Sequence, residues 1–344
     1  MMIAIIAAGW YRCHLASVMM SRGEEVFLYE ADDFFAGASG ANQSRLHLGW
    51  HYPRCSITRT SSRRNWDSFL RTYGFLTSPI KSMIYAVADD SHIDFPSYLA
   101  AVTSDAGGTY EDVTRHMPRL GIRNCQGAVR VEERLILQDR AREYFRQKLT
   151  DRTFKERIDH GRIVGLLSHY DFVIDTTYAA FRRDGVEHYE PCVIWRVRGD
   201  PRFALTVMDG PYGSIMPSHF DGGEITLTTV QKTPLAKVAT YAEAAEVARK
   251  FDDDHRAKFR HFEMSVEIMA RYIEVPMKET TGYRIGIRAK PKGAADTRQC
   301  LAFSDEDNCR LVHVRPGKID GIFTAEEMVW DIIYKISRGP GGEL

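Results

Sequence analysis

The sequence lacks the features that would place it at once in a specialised class of protein. Its 46 basic and 46 acidic residues cancel to a formal net charge of 0, so charge neither indicates nor excludes nucleic acid as a partner. No apolar run reaches the about 18 residues of a membrane span, and the N-terminal run is too short for a signal peptide. The six cysteines form no C-x-x-C pair, which favours reduced thiols over disulfides or a zinc site. We therefore expect a soluble cytoplasmic protein with no metal centre and no membrane partner.

The first thirty residues have the pattern of a strand, a tight turn, a helix and a second strand. In order they are an apolar run at residues 3–6, the small-residue turn Ala7-Ala8-Gly9, a helical stretch to about Arg22, and an apolar run at residues 26–29 closed by Glu30. The acid follows the turn by about 20 residues, where a dinucleotide-binding βαβ unit places the carboxylate that binds a ribose hydroxyl. A pyrophosphate would then lie on the free N–H groups at the start of the helix.

The glycine fingerprint of such units is incomplete in this chain. Glycine is expected at positions 7, 9 and 12, and the chain has Ala7, Gly9 and Arg12. Gly9 allows the closest approach of backbone to phosphate, whereas Arg12 replaces the glycine that lets helix and strand pack closely. Either the helix is displaced, or the arginine side chain turns aside. The segment taken alone is a nucleotide site or an ordinary βαβ unit.

Polar residues follow in a loop that is otherwise made of small residues, at positions 37–49. Ser39, Asn42, Gln43 and Arg45 can donate hydrogen bonds to a flat or charged ligand. An amphipathic helix is predicted at residues 56–73, and its arginines form either a solvated face or a basic groove for a phosphate-bearing substrate.

The remaining pattern predicts an α/β protein with two interleaved domains. A buried strand at residues 172–174 ends in Thr176 and Thr177, and strand ends of this kind line ligand sites in open α/β sheets. Residues 187–238 have the short strands and tight turns of an antiparallel sheet, and helices are predicted at 241–251, 252–272 and 324–337. We expect a Rossmann-like nucleotide domain at residues 1–78, 126–184 and 286–340. The β-rich substrate domain, an antiparallel sheet plus helices, would comprise residues 79–125 and 185–285.

Four separated segments resemble the FAD-dependent amino acid oxidase superfamily, the group of D-amino acid oxidase, glycine oxidase and sarcosine oxidase. They are the N-terminal βαβ unit with Glu30, the loop Gly37-Ala-Ser-Gly-Ala-Asn-Gln43, the strand end Asp175-Thr-Thr-Tyr178, and Gly286-Ile-Arg288-Ala-Lys-Pro291 with Asp296-Thr-Arg298 and the turn Pro316-Gly-Lys-Ile-Asp320. The resemblance implies FAD as the cofactor. The cofactor-binding residues that it implies are Ala7, Ala8, Gly9, Trp10, Glu30, Ala31, Ser39, Gly40, Asn42, Gln43, Thr176, Thr177, Gly317, Lys318 and Ile319.

The resemblance also implies the chemistry: oxidation of a C–N bond of an amino acid or amine, free or carrier-linked, by hydride transfer to the flavin. Arg288 matches the arginine that pairs with a substrate carboxylate. Next to it we place Arg45, His47, His51 and Tyr52, with His51 as a base and Tyr52 holding the amine or covering the ring. Each histidine, and Arg288, also has a purely structural interpretation. Two alternatives remain. One is a flavin-dependent lyase or isomerase acting on a similar substrate, and the other is a flavin-free scaffold, which the departures at positions 7, 12 and 317 leave open.

Overall fold

A computed structural model describes residues 1–7, 9–105, 108–181, 184–199, 204–218, 223–274, 279–293 and 298–338. Ala8, which we predict to bind the cofactor, lies outside these residues, as do Asp296 and Thr297. The chain divides into two compact units, unit 1 from residues 1–40, 140–187 and 289–344 and unit 2 from residues 41–139 and 188–288. The chain therefore passes between units after residues 40, 139, 187 and 288, whereas the sequence-based boundaries fall at 78, 125 or 126, 184 and 285 or 286.

The strands and helices are numbered along the chain. The strands are β1 Met2–Ile6, β2 Glu25–Glu30, β3 Arg45–Leu46, β4 Thr77–Pro79, β5 Met83–Ala88, β6 Tyr110–Asp112, β7 Cys125–Val131, β8 Arg134–Ile136, β9 Thr153–Lys155, β10 Phe172–Asp175, β11 Val186–Arg198, β12 Ala204–Met208, β13 Gly213–Pro217, β14 Glu224–Thr229, β15 Thr280–Pro291, β16 Leu301–Ser304 and β17 Leu311–Arg315. The helices are α1 Trp10–Ser21, α2 Ser56–Tyr73, α3 Phe95–Thr103, α4 Met117–Leu120, α5 Gln138–Leu149, α6 His160–Leu167, α7 Tyr241–Asp253, α8 His255–Ala270 and α9 Ile322–Arg338. Among the helices that the structure describes, none could span a lipid bilayer.

Unit 1 is built on a six-stranded sheet in the order β16-β17-β10-β1-β2-β9. Strands β17, β10, β1, β2 and β9 run parallel, and β16 pairs antiparallel with β17. Residues 3–6 of β1 are all buried, which is typical of a parallel strand covered on both faces. The chain leaves β1 toward β2 on one side and returns as β10 on the other, so the carboxyl ends of β1 and β10 form a topological switch point, where open α/β sheets bind ligands.

Ala7 leaves β1 with a φ of 89°, in the left-handed region that favours glycine. Its N–H donates to Tyr29 O at 3.0 Å, so the turn is fixed by the neighbouring strand. Position 7 therefore has a backbone conformation suited to the fingerprint glycine, although the residue there is alanine, which adopts this conformation less easily.

Replacing Ala7 by glycine is expected to raise the free energy of unfolding by about 0.5 kcal/mol, because relief of about 1–2 kcal/mol of left-handed strain exceeds the entropy that glycine adds to the unfolded chain. Urea denaturation measures the change. Ala16→Gly, buried inside α1, is the matched control and should lose about 1 kcal/mol. A loss of similar size at both positions would contradict the assignment of strain to Ala7.

Unit 2 contains an eight-stranded sheet in the order β15-β11-β14-β13-β12-β5-β7-β6 and a small antiparallel sheet in the order β3-β8-β4. In the large sheet β5 pairs parallel with β12, and β11, β14, β13 and β12 pair antiparallel in turn. One apolar cluster packs Phe262 and Met269 of α8 against the sheet. A second cluster packs Tyr98 and Val102 of α3 against it. The predicted α/β class, with a Rossmann-like sheet interleaved with a β-rich unit, is confirmed.

Candidate functional site

The start of α1 lies at the carboxyl end of β1. Gly9 is the N-cap residue of α1, and a Cβ added there would lie 2.6 Å from Ser39 Oγ. The Trp10 N–H donates to Ser39 Oγ at 3.1 Å. The structure thus brings Gly9, the Trp10 backbone and Ser39 together, as the sequence predicts. The Trp10 side chain is fully buried between Phe35 and Phe145, so it contributes to the core and only its backbone faces this turn.

Glu30 ends β2 beside the same turn, with Ala31 directly after it. Glu30 Oε1 accepts a hydrogen bond from the Asp32 N–H at 2.9 Å, and Oε2 lies 4.0 Å from Arg12 Nη1. Burial raises the pKa of Glu30 above its usual value, while the Asp32 amide and Arg12 act in the opposite direction. The Arg12 side chain therefore turns aside toward the end of β2, the second of the two arrangements that the sequence allows.

Thr176 and Thr177 follow β10 at the switch point. Thr176 donates through both N and Oγ1 to Ile6 O, at 3.2 and 2.7 Å. Thr177 donates through N and Oγ1 to Asp175 Oδ1, at 2.8 and 2.6 Å. Thr176 therefore links the carboxyl ends of β1 and β10, and Thr177 is held by the last residue of β10. Their contact with a cofactor stays a prediction.

A buried charge cluster supports this edge from within unit 1. His313 Nδ1 lies 2.8 Å from Asp175 Oδ2, and His313 Nε2 lies 3.1 Å from Asp305 Oδ2. Arg315 Nη1 lies 3.5 Å from Asp175 Oδ2. Burial opposes the charge of Asp175 most strongly, but the hydrogen bond from His313 and the charge of Arg315 outweigh it and hold its pKa below its ordinary value. The cluster fixes the strand end that carries Thr176 and Thr177.

The turn at Gly317, Lys318 and Ile319 precedes α9. A Cβ at Gly317 would lie 2.0 Å from Arg298 O, so only glycine fits. The Tyr11 hydroxyl donates to Lys318 O at 2.5 Å, and Lys318 Nζ donates to Asp320 at 3.1 Å. Within unit 1 a cleft runs beside this turn; its lining includes Tyr178, Arg298, Gln299, Arg315 and Gly317. Gly317 and Tyr178, the residue that follows Thr177, therefore line the same cleft.

The polar loop continues through Gly40 to Gln43. Gly40 N–H donates to Gly37 O at 3.0 Å, and Asn42 Oδ1 accepts from the Ser44 N–H at 2.7 Å, so both positions form turns. Gln43 Oε1 accepts from Ser214 Oγ of β13 at 2.7 Å. The predicted cofactor contacts of Asn42 and Gln43 would therefore compete with hydrogen bonds that the fold already makes.

Arg45 belongs to a buried network in unit 2. Its guanidinium donates to Glu133 Oε2 at 3.0 Å, to Thr206 Oγ1 at 3.1 Å and to the Tyr85 hydroxyl, which itself donates to Glu133 Oε1 at 2.5 Å. Burial disfavours the charge of Arg45, but the carboxylate of Glu133 outweighs burial and raises the pKa of the guanidinium. Four of the five N–H donors of Arg45 are thus directed at the protein, which leaves the second N–H of Nη1 for the predicted substrate contact.

The predicted His47, His51 and Tyr52 lie together. The ring of Tyr52 lies 5.6 Å from that of His47 and 5.1 Å from that of His51, measured between centroids. His47 Nδ1 accepts from the Gly49 N–H at 3.1 Å, which leaves Nε2 as the donor nitrogen of a neutral ring. The His51 ring also lies 6.5 Å from that of Tyr85, so the aromatic group adjoins the Arg45 network.

Two arginines of α2 hold the loop that carries these rings. Arg59 Nη1 donates to Tyr52 O at 2.9 Å and to Pro53 O at 2.7 Å, and Arg59 Nε donates to Asp105 at 2.8 Å. Arg63 Nε donates to the Leu48 carbonyl at 3.1 Å. At these two positions neither the solvated face nor the phosphate groove is found, because carbonyl groups of the loop occupy the guanidinium donors.

Arg59→Met is expected to lower the free energy of unfolding by about 2 kcal/mol or more, because buried carbonyls lose charged donors. Urea denaturation measures the loss, and limited proteolysis reports whether the loop around Tyr52 opens. Arg71→Met on the exposed face of the same helix is the matched control and should stay within about 0.5 kcal/mol of the parent. Equal stability of the two variants would mean that Arg59 does not hold the loop.

Arg288 lies in a second cluster of unit 2. Its Nε donates to Glu190 Oε2 at 3.0 Å and its Nη2 donates to the same oxygen. His188 Nε2 lies 3.0 Å from Glu190 Oε1. The Glu190 side chain is 4% exposed and that of Arg288 is 34% exposed. Glu190 therefore fixes the plane of a guanidinium that an anion can still approach.

Sequence reasoning did not identify several residues of these clusters, among them Tyr85, Glu133, Glu190 and His313. Two of them carried a signal. Glu190 and His313 each interrupt a buried strand, and an ionisable group there has to be paired. Glu133 lies in the two-residue connection between β7 and β8, and Tyr85 lies within the apolar strand β5, so neither stands out from its neighbours.

The residues at the carboxyl edge of unit 1 fit the adenosine half of FAD. Gly9 opens a helix whose N-terminus favours a pyrophosphate, and Glu30 has one oxygen engaged by an amide and the other beside a cation. All three guanidinium nitrogens of Arg12 are buried without a hydrogen-bond partner in the structure as described. A buried cation of this kind requires a negative charge nearby, so the Arg12 guanidinium favours the ionised form of Glu30 at this edge. The individual cofactor contacts remain predictions.

Comparison with known proteins identifies relatives along nearly the whole chain. No family model matches it. It is 32% identical to the FAD-dependent monooxygenase FPY4 of Fusarium mangiferae over 348 residues, which covers 96% of this chain and 90% of that protein. It is 26% identical to the FAD-dependent monooxygenase kojA of Aspergillus flavus, over 98% of this chain and 86% of that protein.

Solved structures share the fold. Glycine oxidase from Geobacillus kaustophilus superposes with a TM-score of 0.68 at 11% identity, over 96% of this chain and 94% of that chain. NikD, an amino acid oxidase essential for nikkomycin biosynthesis, superposes with a TM-score of 0.67 at 12% identity, over 99% and 95%. The predicted cofactor, FAD, is confirmed by the relatives, and the flavin-free alternative is set aside. The chain therefore shares its fold with glycine oxidase and NikD, belongs to the family of the FAD-dependent monooxygenase FPY4, and is an FAD-dependent oxidoreductase.

Proposed function

We propose that this oxidoreductase oxidises the C–N bond of an amine or amino acid, free or attached to a larger carrier. Bound FAD supplies the acceptor for the hydride that leaves the carbon bearing nitrogen. The observation that carries the proposal is Arg288, which is partly exposed and held in one plane by the buried Glu190. A guanidinium fixed in this way suits fork-like pairing with a substrate carboxylate.

In this proposal the chain holds FAD along the carboxyl edge of unit 1. The N-terminus of α1 at Gly9 and Trp10 takes the pyrophosphate, and Glu30 with Ala31 takes the adenosine ribose. The other residues assigned to the cofactor are Ala7, Ala8, Ser39, Gly40, Asn42, Gln43, Thr176, Thr177, Gly317, Lys318 and Ile319.

The remaining polar residues of unit 2 divide into two roles. His51 accepts the proton that the substrate amine loses, and Tyr52 holds the nitrogen. His47 and Arg45 support them, His47 through its ring contact with Tyr52 and Arg45 through the Tyr85 hydroxyl. The amine thereby loses a hydride and a proton and becomes an imine, which water hydrolyses.

A second candidate function is monooxygenation, favoured by the relatives FPY4 and kojA, both named FAD-dependent monooxygenases. In that case a nicotinamide nucleotide supplies the electrons, dioxygen supplies the oxygen atom, and the substrate needs no amine. The FAD edge of unit 1 would serve both reactions, and the role of Arg288 separates them.

The test is anaerobic reduction of the bound flavin. Purified protein loaded with FAD is mixed with a panel of amines and amino acids without nicotinamide, and the visible flavin absorbance is followed. Bleaching by an amine, with peroxide release when oxygen returns, supports C–N oxidation. Bleaching by a nicotinamide nucleotide alone supports monooxygenation and overturns the first proposal, and turnover of an amine without oxygen uptake indicates a lyase or isomerase.

With a carboxylate substrate, Arg288→Met is expected to raise KM at least about tenfold, because a charged hydrogen bond is worth about 1.5–3 kcal/mol. Steady-state kinetics measures the change. The matching amine without a carboxylate is the control, and its KM should not change. An equal rise for both substrates would show that Arg288 does not bind the carboxylate.

A further inference from the structure

We propose that Arg12, in place of the third fingerprint glycine, is a positioning residue of the cofactor site that holds Glu30 as the carboxylate acceptor for the ribose hydroxyls of FAD. The inference rests on the proposed function, which assigns Glu30 to the ribose. Arg12 is the third residue of α1. Glycine at this position would allow the helix to pack closely against the strand, whereas the guanidinium of Arg12 reaches the end of β2.

The guanidinium of Arg12 is enclosed by few groups. Nη1 lies 4.0 Å from Glu30 Oε2, and the guanidinium carbon lies 4.9 Å from the ring centroid of Phe34. The thiol of Cys13 lies close enough for the Arg12 charge to oppose the rise that burial causes in its pKa. Apart from the weakly accepting sulfur of Cys13, no described group accepts a hydrogen bond from the three guanidinium nitrogens.

A cation buried in this way is tolerated only with compensation. Its desolvation costs several kcal/mol, and the loss of one partner of a buried pair is strongly destabilising. The face of the Phe34 ring compensates in part, as a cation–π contact. The carboxylate of Glu30 is the nearby full charge of opposite sign, so the two side chains stabilise each other in their ionised forms.

Glu30 keeps capacity for a ligand while it is held. A carboxylate has about four lone-pair sites, and among the described residues Oε1 accepts the Asp32 N–H. The Glu30 side chain is 12% exposed, whereas that of Arg12 is fully buried. A ligand can therefore reach Glu30 but not the guanidinium, and Arg12 acts on the ribose through Glu30.

A double-mutant cycle tests this coupling with FAD binding as the readout. The FAD-free protein is titrated with FAD, and the dissociation constant is taken from flavin fluorescence for the parent, Arg12→Met, Glu30→Gln and the double variant. Each single variant is expected to bind FAD about tenfold more weakly, because a charge-assisted hydrogen bond is weakened or lost. The double variant is expected to be no weaker than the weaker single variant.

Thermal unfolding of the FAD-free variants gives an independent readout. Glu30→Gln leaves the Arg12 cation uncompensated and should lower the midpoint, and adding Arg12→Met should restore part of it. Arg22→Met at the other end of α1, where the side chain pairs with Glu326, is the control and should bind FAD as the parent does.

The results of these experiments distinguish a failure of the role proposed for Arg12 from a failure of the proposed function. A parent that binds no FAD overturns the proposed function. A parent that binds FAD, with Arg12→Met equally tight or with losses that multiply in the double variant, overturns the role of Arg12 alone. If Arg12→Met does not give folded protein, Arg12→Gln, which is polar and uncharged, takes its place with the same expectations.

Discussion

Asp175→Asn is expected to lower the free energy of unfolding by about 3–5 kcal/mol, because it removes the charge that compensates two buried groups. Asp175 has no exposed surface, its Oδ2 lies 2.8 Å from His313 Nδ1, and Arg315 Nη1 lies 3.5 Å away. Without the carboxylate the Arg315 cation keeps its burial and loses this counter-charge. Urea denaturation, followed by tryptophan fluorescence, measures the loss.

Asp305→Asn is the matched control for this cluster. Asp305 faces the other ring nitrogen of His313 at 3.1 Å, but its side chain is partly exposed, so water can replace the lost interaction. The expected loss is about 1 kcal/mol or less. Equal losses for Asp175→Asn and Asp305→Asn would show that burial of the charge does not set the energy.

The same carboxyl predicts how stability changes with acid. The pKa of Asp175 is lowered in the folded protein, so folding is favoured by its ionised form. That contribution is fully present above the unfolded pKa of about 3.9 and is lost as the pH falls through the lower folded pKa. The stability difference between the parent and Asp175→Asn should therefore shrink below about pH 4. A difference that stays constant from pH 7 to pH 3 would contradict it.

Glu133→Gln is expected to cost about 3–5 kcal/mol as well, because it leaves the guanidinium of Arg45 buried without its counter-charge. Glu133 has no exposed surface and accepts from both Arg45 and Tyr85. Burial raises the pKa of Tyr85 well above its usual value, so this hydroxyl remains a neutral donor and cannot replace the charge. Urea denaturation again measures the loss.

The control for this prediction removes both charges. The double variant Arg45→Met, Glu133→Gln should recover at least about 2 kcal/mol relative to Glu133→Gln, because it no longer contains an uncompensated cation. A double variant less stable than the single one would mean that Arg45 is stabilised by Thr206 and Tyr85 without need of the carboxylate.

Much of the local structure could be predicted from the sequence because its signals are local. The pattern at residues 2–30 gives β1, α1 and β2, and the arginine-rich helix begins and ends at Ser56 and Tyr73 as predicted. The short strands predicted within residues 187–238 are present as β11, β12, β13 and β14. In each case periodicity within about twenty residues, with turn residues at the ends, contains the information.

Other elements carried too little local signal. β9 and β17 are parallel strands of the unit 1 sheet, and neither was identified. β9 is three residues long, and β17 is interrupted by His313 and ends in Arg315. Such strands form because a neighbour pairs with them, and no pattern within the strand reveals that neighbour.

The candidate site divides in the same way. The sequence determined the βαβ unit, the acid at its end, the loop of small residues and the family resemblance that implies FAD. Only the tertiary structure decided that Arg12 turns to Glu30, that Arg45 pairs with a glutamate 88 residues away, and that Asp175 meets a histidine 138 residues away. A charge is recognised from its own position, but its partner is fixed by sheet order and register, which depend on residues far apart in the chain.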